Sequence, residues 1–248
     1  MSQNFAEFRR GVISPLECIK EGWALIKDQY WLFFGISIVG ILVGSAVPIV
    51  LLGPMMVGIF MCIQQRQRNQ AVDFGTLFKG FELFVQGLVV TVLKMIPIFI
   101  LLIPYYIFLF GTMAVSMPRE EHPSPEAMQR FFYSFFGFEM LFFVTIFVVS
   151  MLIEIFFMMA YPLVADRRLS GLDAVKLSFR ACKANFGGIL GLIFLNALFG
   201  IIGVFCCFVG AYFYMPVAFA SQAVAYRRIF PDLGSPLRSP PPPPGNWA

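Results

Sequence analysis

Apolar residues along this chain fall into four long blocks, 31–63, 83–115, 131–165 and 186–226, and the segments between them are short, polar and mostly basic. A helix needs about 20 residues to cross the hydrocarbon core of a bilayer. The 41 residues from Phe186 to Tyr226 suffice for two crossings. The blocks at 83–115 and 131–165 exceed one crossing and fall short of two, so each is expected as one helix that tilts, kinks or protrudes. The 33 residues from Trp31 to Ile63 fit either one long tilted helix or a hairpin of two short ones.

Charge decides between these two. Basic residues gather on the cytoplasmic side of membrane proteins. With a hairpin at 31–63 the chain makes six spans, and 15 of its 18 basic residues fall on one side. Those are Arg9, Arg10, Lys20, Lys27, Arg66, Arg68, Lys79, Arg167, Arg168, Lys176, Arg180, Lys183, Arg227, Arg228 and Arg238. A single long span would place the first four opposite the rest. Six spans with both termini cytoplasmic follow.

Two polar segments share a pattern. At an offset of 156, Ser14 meets Ser170, Leu16 meets Leu172, Lys20 meets Lys176 and Lys27 meets Lys183. Glu17 matches Asp173, Trp23 matches Phe179 and Tyr30 matches Phe186. Each copy opens with Ser and an acid three residues later, the spacing of a capping box, in which the two side chains satisfy N–H groups at a helix start. Apolar residues then recur at helical spacing: Leu16, Ile19, Trp23, Ile26 and Tyr30, and Leu172, Val175, Phe179, Cys182 and Phe186. Each copy predicts a basic amphipathic helix at the membrane surface, with Lys20, Lys27, Lys176, Arg180 and Lys183 facing lipid headgroups. A hairpin follows each, with Pro54 or Pro216 in its second limb and an arginine twelve residues on, Arg66 or Arg228. The expected fold is an all-α polytopic bundle in one membrane domain, 14–230. Two parallel repeats, 14–68 and 170–228, flank long helices inserted at 83–165. An N-terminal tail covers 1–13 and a Pro-rich cytoplasmic tail 231–248.

Composition agrees. The 248 residues are 59% hydrophobic and 13% charged, against about 25% charged in soluble domains, and mean hydropathy is +0.80. The net charge of +4 is explained by basic loops rather than by nucleic acid. No cleavable signal peptide is expected, because the first apolar run starts only at Trp31, after Glu17, Glu21 and Asp28. The five cysteines form no CxxC pair and read as small apolar filler.

Candidate chemistry is sparse. The single histidine, His122, lies beside Glu120, Glu121 and Glu126 in an outer loop, where a weak metal set competes with a simple helix start at Ser124-Pro125 and a Glu126–Arg130 pair. No phosphate-binding Gly loop or HExxH is present, and neither an enzyme nor a cofactor is expected. Ionisable groups inside membrane spans are costly and mark function or pairing. Lys94 and Glu154 lie at similar depth and are expected to neutralise each other; Glu139 is nearer the outer end. Asn196 and Gln222 can hydrogen-bond between helices. Pro54 and Pro216, with Pro97 and Pro104, are candidate helix breaks. The five prolines Pro240 to Pro244 predict an extended polyproline II segment that could contact a partner.

Gly53-Pro54 with Gly58, "ADRRLSGLDAVKLS" at 165–178 and "MPVAFASQAVAYRRIF" at 215–230 resemble uncharacterised bacterial membrane proteins related to the membrane domain of glycerophosphodiester phosphodiesterases. The resemblance implies a six-helix membrane bundle. The phosphodiesterase activity is not implied, since the chain has no room for that soluble domain. The expected function is non-enzymatic: an inner-membrane protein acting through phospholipid and protein contacts, as an accessory subunit of a membrane complex. The alternative is a transporter or flippase for a lipid or small amphiphile.

Overall fold

In the computed structural model, residues 8–116, 124–205 and 209–231 are described. Among them the chain is all-helical, with no strand. The elements are α1 (Pro15–Ile26), α2 (Tyr30–Ala46), α3 (Leu52–Gln67), a 3₁₀ helix (Phe74–Leu83), α4 (Phe84–Ser116), α5 (Pro125–Phe157), α6 (Ala160–Arg167), α7 (Gly171–Ala184), α8 (Phe186–Phe205) and α9 (Val209–Ile229). Among the described residues four stretches are long and apolar enough to cross a membrane: Pro15–Ala46, Phe74–Gly111, Met128–Arg167 and Phe186–Phe205. The block 31–63 is folded as two helices, α2 and α3, joined by a turn. The block 131–165 is divided between α5 and α6 at residues 158–159.

Three rising stretches (α1–α2, the 3₁₀ helix with α4, and α7–α8) alternate with three descending ones (α3, α5–α6 and α9). Each rising stretch has a base segment and an upper helix, and each base segment packs lengthwise on the descending helix before it. Leu77 of the 3₁₀ helix covers Gly58 of α3, and Gly80 sits on the Pro54 carbonyl. On α7, the Ser178 hydroxyl donates to the Phe156 carbonyl at 2.6 Å and accepts from the Met159 amide at 3.2 Å, while Phe179 stacks on Phe156 at 4.4 Å. The third case closes the structure. α1 lies along α9, with Glu17 at Arg228, Gly22 at Ser221 and the Tyr30 hydroxyl on the Phe213 carbonyl. Upper helices touch the next base segment in the same rotation: Gly40 of α2 meets Leu77, Val89 of α4 meets Gly171, and Gly191 of α8 meets Pro15.

This packing corrects the expectation of surface helices. A helix resting across the end of a bundle would cross α9 at one point, whereas α1 follows it for its whole length. The stripe packed inside the protein is distinct from the apolar stripe expected against lipid. It consists of small or slender residues, Cys18, Gly22 and Ile26 on α1 and Ala174, Ser178 and Cys182 on α7, which stand at matching positions. A Cβ at Gly22 would lie 2.7 Å from the Ser221 nitrogen, so bulk is excluded there. The large apolar residues point outward instead: Leu16 and Leu172 are 57% and 53% exposed, and Trp23 and Phe179 are each 47% exposed. Only the second copy makes the N-cap bond. Ser170 accepts from the Asp173 amide at 3.2 Å, but Ser14 makes no side-chain cap, because Glu17 is drawn to Arg228, 3.0 Å away on α9.

Upper helices differ in length. α2 has 17 residues and α8 has 20, about 25 and 30 Å at 1.5 Å per residue. α4 and α5 have 33 each, about 50 Å. A 30 Å hydrocarbon core would demand a tilt beyond the usual range of about 40° to contain them, so their far ends project past the others.

Candidate functional site

Lys94 is ten residues into α4, about 15 Å from the helix start. Its Nζ lies 2.5 Å from Glu154 Oε1 on α5. The two side chains differ in surroundings: Lys94 is 18% exposed and Glu154 is 56% exposed. One turn below, the Thr91 hydroxyl donates to the Gly87 carbonyl at 3.0 Å and lies 3.1 Å from the Tyr161 hydroxyl of α6. Two polar contacts therefore join α4 to α5–α6 on the inner half of an apolar hairpin. Asn196 stands ten residues into α8, the same height in its own rising helix. Its Oδ1 accepts from the Tyr214 hydroxyl at 2.7 Å and its Nδ2 donates to Ser221 at 3.2 Å, holding α8 to α9. Farther out, the Tyr105 hydroxyl donates to Glu139 Oε2 at 2.7 Å.

The structure does not gather these predicted residues into one site. Lys94–Glu154 and Glu139 tie α4 to α5 at two heights, and Asn196 ties α8 to α9. The prolines take different places. Pro54 stands in the first turn of α3, where its missing N–H would have had no intrahelical partner. Pro216 stands inside α9, which continues through it, as α4 continues through Pro97 and Pro104. Gln222 does reach between helices, donating to the Met158 carbonyl.

A denser charged constellation lies where α3, α6 and α9 end together. Asp166 of α6, with a side chain only 8% exposed, pairs with Arg68 beyond α3 and lies 3.6 Å from Arg227 of α9. It also accepts from the Tyr226 hydroxyl at 2.7 Å. All three descending stretches thus meet on one carboxylate. Around it, Arg228 bridges Glu17 at 3.0 Å and Glu21 at 2.7 Å, and Arg66 donates to the Leu25 carbonyl at 3.1 Å and pairs with Asp28 at 3.3 Å. Arg167 lies over the Phe230 ring at 5.0 Å. The expected headgroup cations Lys20, Lys27, Lys176, Arg180 and Lys183 are all exposed.

Beside this constellation is a cleft of about 450 Å³ lined by Arg9, Glu21, Leu25, Gln67, Arg227 and Arg228. Sequence reading counted these arginines as loop charge and missed both Asp166 and Asn185. The Ala-Asp-Arg-Arg run at 165–168 held one signal, an acid placed where positive charge alone is expected. Asn185 is 4% exposed at the junction of α7 and α8, and a buried amide needs partners. It finds them in the segment before α1, described below.

His122, Glu120, Glu121, Cys206, Cys207 and the run Pro240 to Pro244 lie outside the described residues. Glu126 does approach Arg130, at 3.9 Å one turn away. Among the described residues no group of three or more His, Cys, Asp or Glu is placed to hold a metal ion. No protein-family model, characterised protein or solved structure matches the chain.

Proposed function

We propose that this chain is a six-span protein of a bacterial inner membrane, with both termini cytoplasmic, that acts without catalysis through contacts with phospholipids and with other subunits of a membrane complex. Its architecture reads as three copies of one unit, 14–68, 74–167 and 170–229, each a base segment, a rising helix and a descending helix with a basic end. The rotation of contacts described above supports this extension of the two-copy reading. The segments resembling the phosphodiesterase membrane domain fall on the first half of α3, on α6–α7 and on α9, and the last two reach the charged end. The observation that carries the reading is that the arginine-bearing ends of three descending helices lie together, with Leu16 and Trp23 exposed on the flank. Clustered cations beside outward apolar side chains suit the anionic cytoplasmic surface of a bilayer.

Two measurements test it. Reporter fusions at the two termini should both respond as cytoplasmic; a periplasmic amino terminus would remove the six-span arrangement. Purification in mild detergent, with mass spectrometry of what co-elutes, should return phospholipid and companion membrane proteins in fixed ratio.

Glu154 favours a second reading, as a transporter or flippase for a lipid or small amphiphile. A carboxylate more than half exposed within an apolar helix needs water, a partner or a passing substrate to be tolerable. A cysteine at position 154 that reacts in intact membranes with a charged, water-soluble maleimide would favour that pathway. A cysteine there that stays unlabelled would favour the contact reading.

A further inference from the structure

We propose that the cleft between Arg9, Gln67 and Arg228 binds the phosphate group of an anionic phospholipid headgroup; this rests on the lipid-contact reading above. The site is built by an arm of chain fixed in place. The Arg9 amide donates to the Ile229 carbonyl at 2.9 Å. The Asn185 side chain donates to the Arg9 carbonyl at 2.9 Å and accepts from the Gly11 amide at 2.7 Å, while also donating to the Ala181 carbonyl at 3.0 Å. A buried amide thus makes three bonds, two of them to a segment 174 and 176 residues away. Gly11 has φ +65°, a conformation that disfavours any side chain. Phe8 packs against Phe230 with ring centroids 6.2 Å apart. All of this holds the Arg9 backbone rigidly, while the Arg9 side chain is exposed and makes no ion pair among the described residues. Arg228, at the back of the cleft, is already matched by Glu17 and Glu21.

An immobilised backbone that delivers an uncommitted guanidinium into a cleft with further arginines in its wall suits an anion. A planar guanidinium pairs with two oxygens of one phosphate. The cleft's volume of about 450 Å³ admits a glycerophosphate headgroup. Leu25 and Val224 in its lining give the glycerol end of the headgroup an apolar contact. Inorganic phosphate shares the recognised chemistry and is the other possible source.

The test uses the full chain in a neutral detergent. Its melting temperature is followed against dihexanoyl phosphatidylglycerol, against inorganic phosphate, and against dihexanoylglycerol, which has the same chains and no phosphate. The expected result is a saturable upward shift with phosphatidylglycerol alone. Affinity should fall about tenfold in Arg9→Gln, the loss of one charge-assisted pair. It should also fall in Gly11→Ala, which keeps the Arg9 charge but disfavours the arm's conformation. Arg9→Gln should melt like the parent without ligand. An equal, Arg9-dependent shift with inorganic phosphate would overturn the lipid assignment and leave a free-phosphate site. Binding unchanged in Arg9→Gln, or an equal shift with dihexanoylglycerol, would overturn the cleft itself. Phospholipid co-purifying in the parent and undiminished in Arg9→Gln would leave the lipid-contact reading standing while the cleft falls. Its absence from the parent would count against that reading.

Discussion

Replacing Lys94 by Met should destabilise the protein, and replacing Glu154 by Gln in the same chain should then cost less than it does alone. Lys94 sits about 15 Å along α4, which in the proposed six-span arrangement is near the middle of a hydrocarbon core about 30 Å thick. A lone charged residue at that depth costs about 3 kcal/mol on insertion scales. The 2.5 Å contact with Glu154 offsets much of that for both partners. Each single substitution leaves one charge unmatched and should cost roughly 2 kcal/mol. The double variant should cost less than the sum of the singles by about 1–3 kcal/mol, the size of coupling found between touching groups. Denaturation in mixed micelles, followed by far-ultraviolet circular dichroism, measures all four corners of the cycle. Losses that add within about 0.5 kcal/mol, as for distant sites, would refute the claim that the pair neutralises itself.

Ser170→Ala should cost about 1 kcal/mol of stability, the usual value of an N-cap, whereas Ser14→Ala should cost a few tenths at most; chemical denaturation of the two side by side checks this. Asp166→Asn removes the carboxylate shared by Arg68, Arg227 and Tyr226 and should cost roughly 2 kcal/mol, read as a lower melting temperature. Burial on α7, which precedes the span Phe186–Phe205, pushes the Cys182 thiol up to about 11, against the lowering effect of Ser178 and the Met159 amide. Because the folded value is raised above the ordinary 9.0, the stability gained by keeping this thiol neutral is complete below pH 9 and is lost as pH rises from 9 to 11. Cys182 should therefore resist maleimide at about pH 8 in the folded protein and react once unfolded, with peptide mapping as the readout.

The division of 31–63 into two helices was legible because it rests on charge. Arg66 and Arg68 fall on the same side as Arg9 and Arg10 only if the chain turns back. The start of α7 was legible from Ser170 and Asp173, whose bonds are local. The matching cap at Ser14 was not, because its acid is claimed by Arg228 from the other end of the chain. The orientation of α1 and α7 was hidden for a different reason. Periodicity identifies an apolar stripe, but in a membrane both the protein and the lipid are apolar. Helix contacts select small residues so that backbones can approach, so Gly22 and Ser178 face inward while Trp23 and Phe179 face out. The 3₁₀ helix Phe74–Leu83 was hidden inside a loop by its lysine, Lys79. Its packing depends on Gly58 and Gly80, where a Cβ would come within 1.9 Å and 2.1 Å of backbone oxygens. The candidate site was legible only in part, because Arg9 and Arg228 meet through the closing contact of α1 on α9.

That closing contact differs from the other two base-segment contacts in one respect. The 3₁₀ helix and α7 each follow the helix they pack on after a short turn, so the chain itself holds them near. α1 is separated from α9 by nearly the whole sequence, and only its surface chemistry brings it back. Gly22 is where the approach is closest, since a methyl group there would stand 2.7 Å from the Ser221 nitrogen. Gly22→Val should therefore displace α1, part Arg228 from Glu17 and Glu21, and loosen the arm carrying Arg9. Overpacking of this kind costs about 1–3 kcal/mol, enough to populate an open form while the remaining helices stay folded. Cysteines placed at 21 and 228 should be joined readily by a short bis-maleimide in the parent background and poorly with Val at position 22. Equal cross-linking in the two backgrounds would mean that α1 reaches α9 without the small-residue contact, and that the ring is closed by something other than the fit of Gly22 against Ser221.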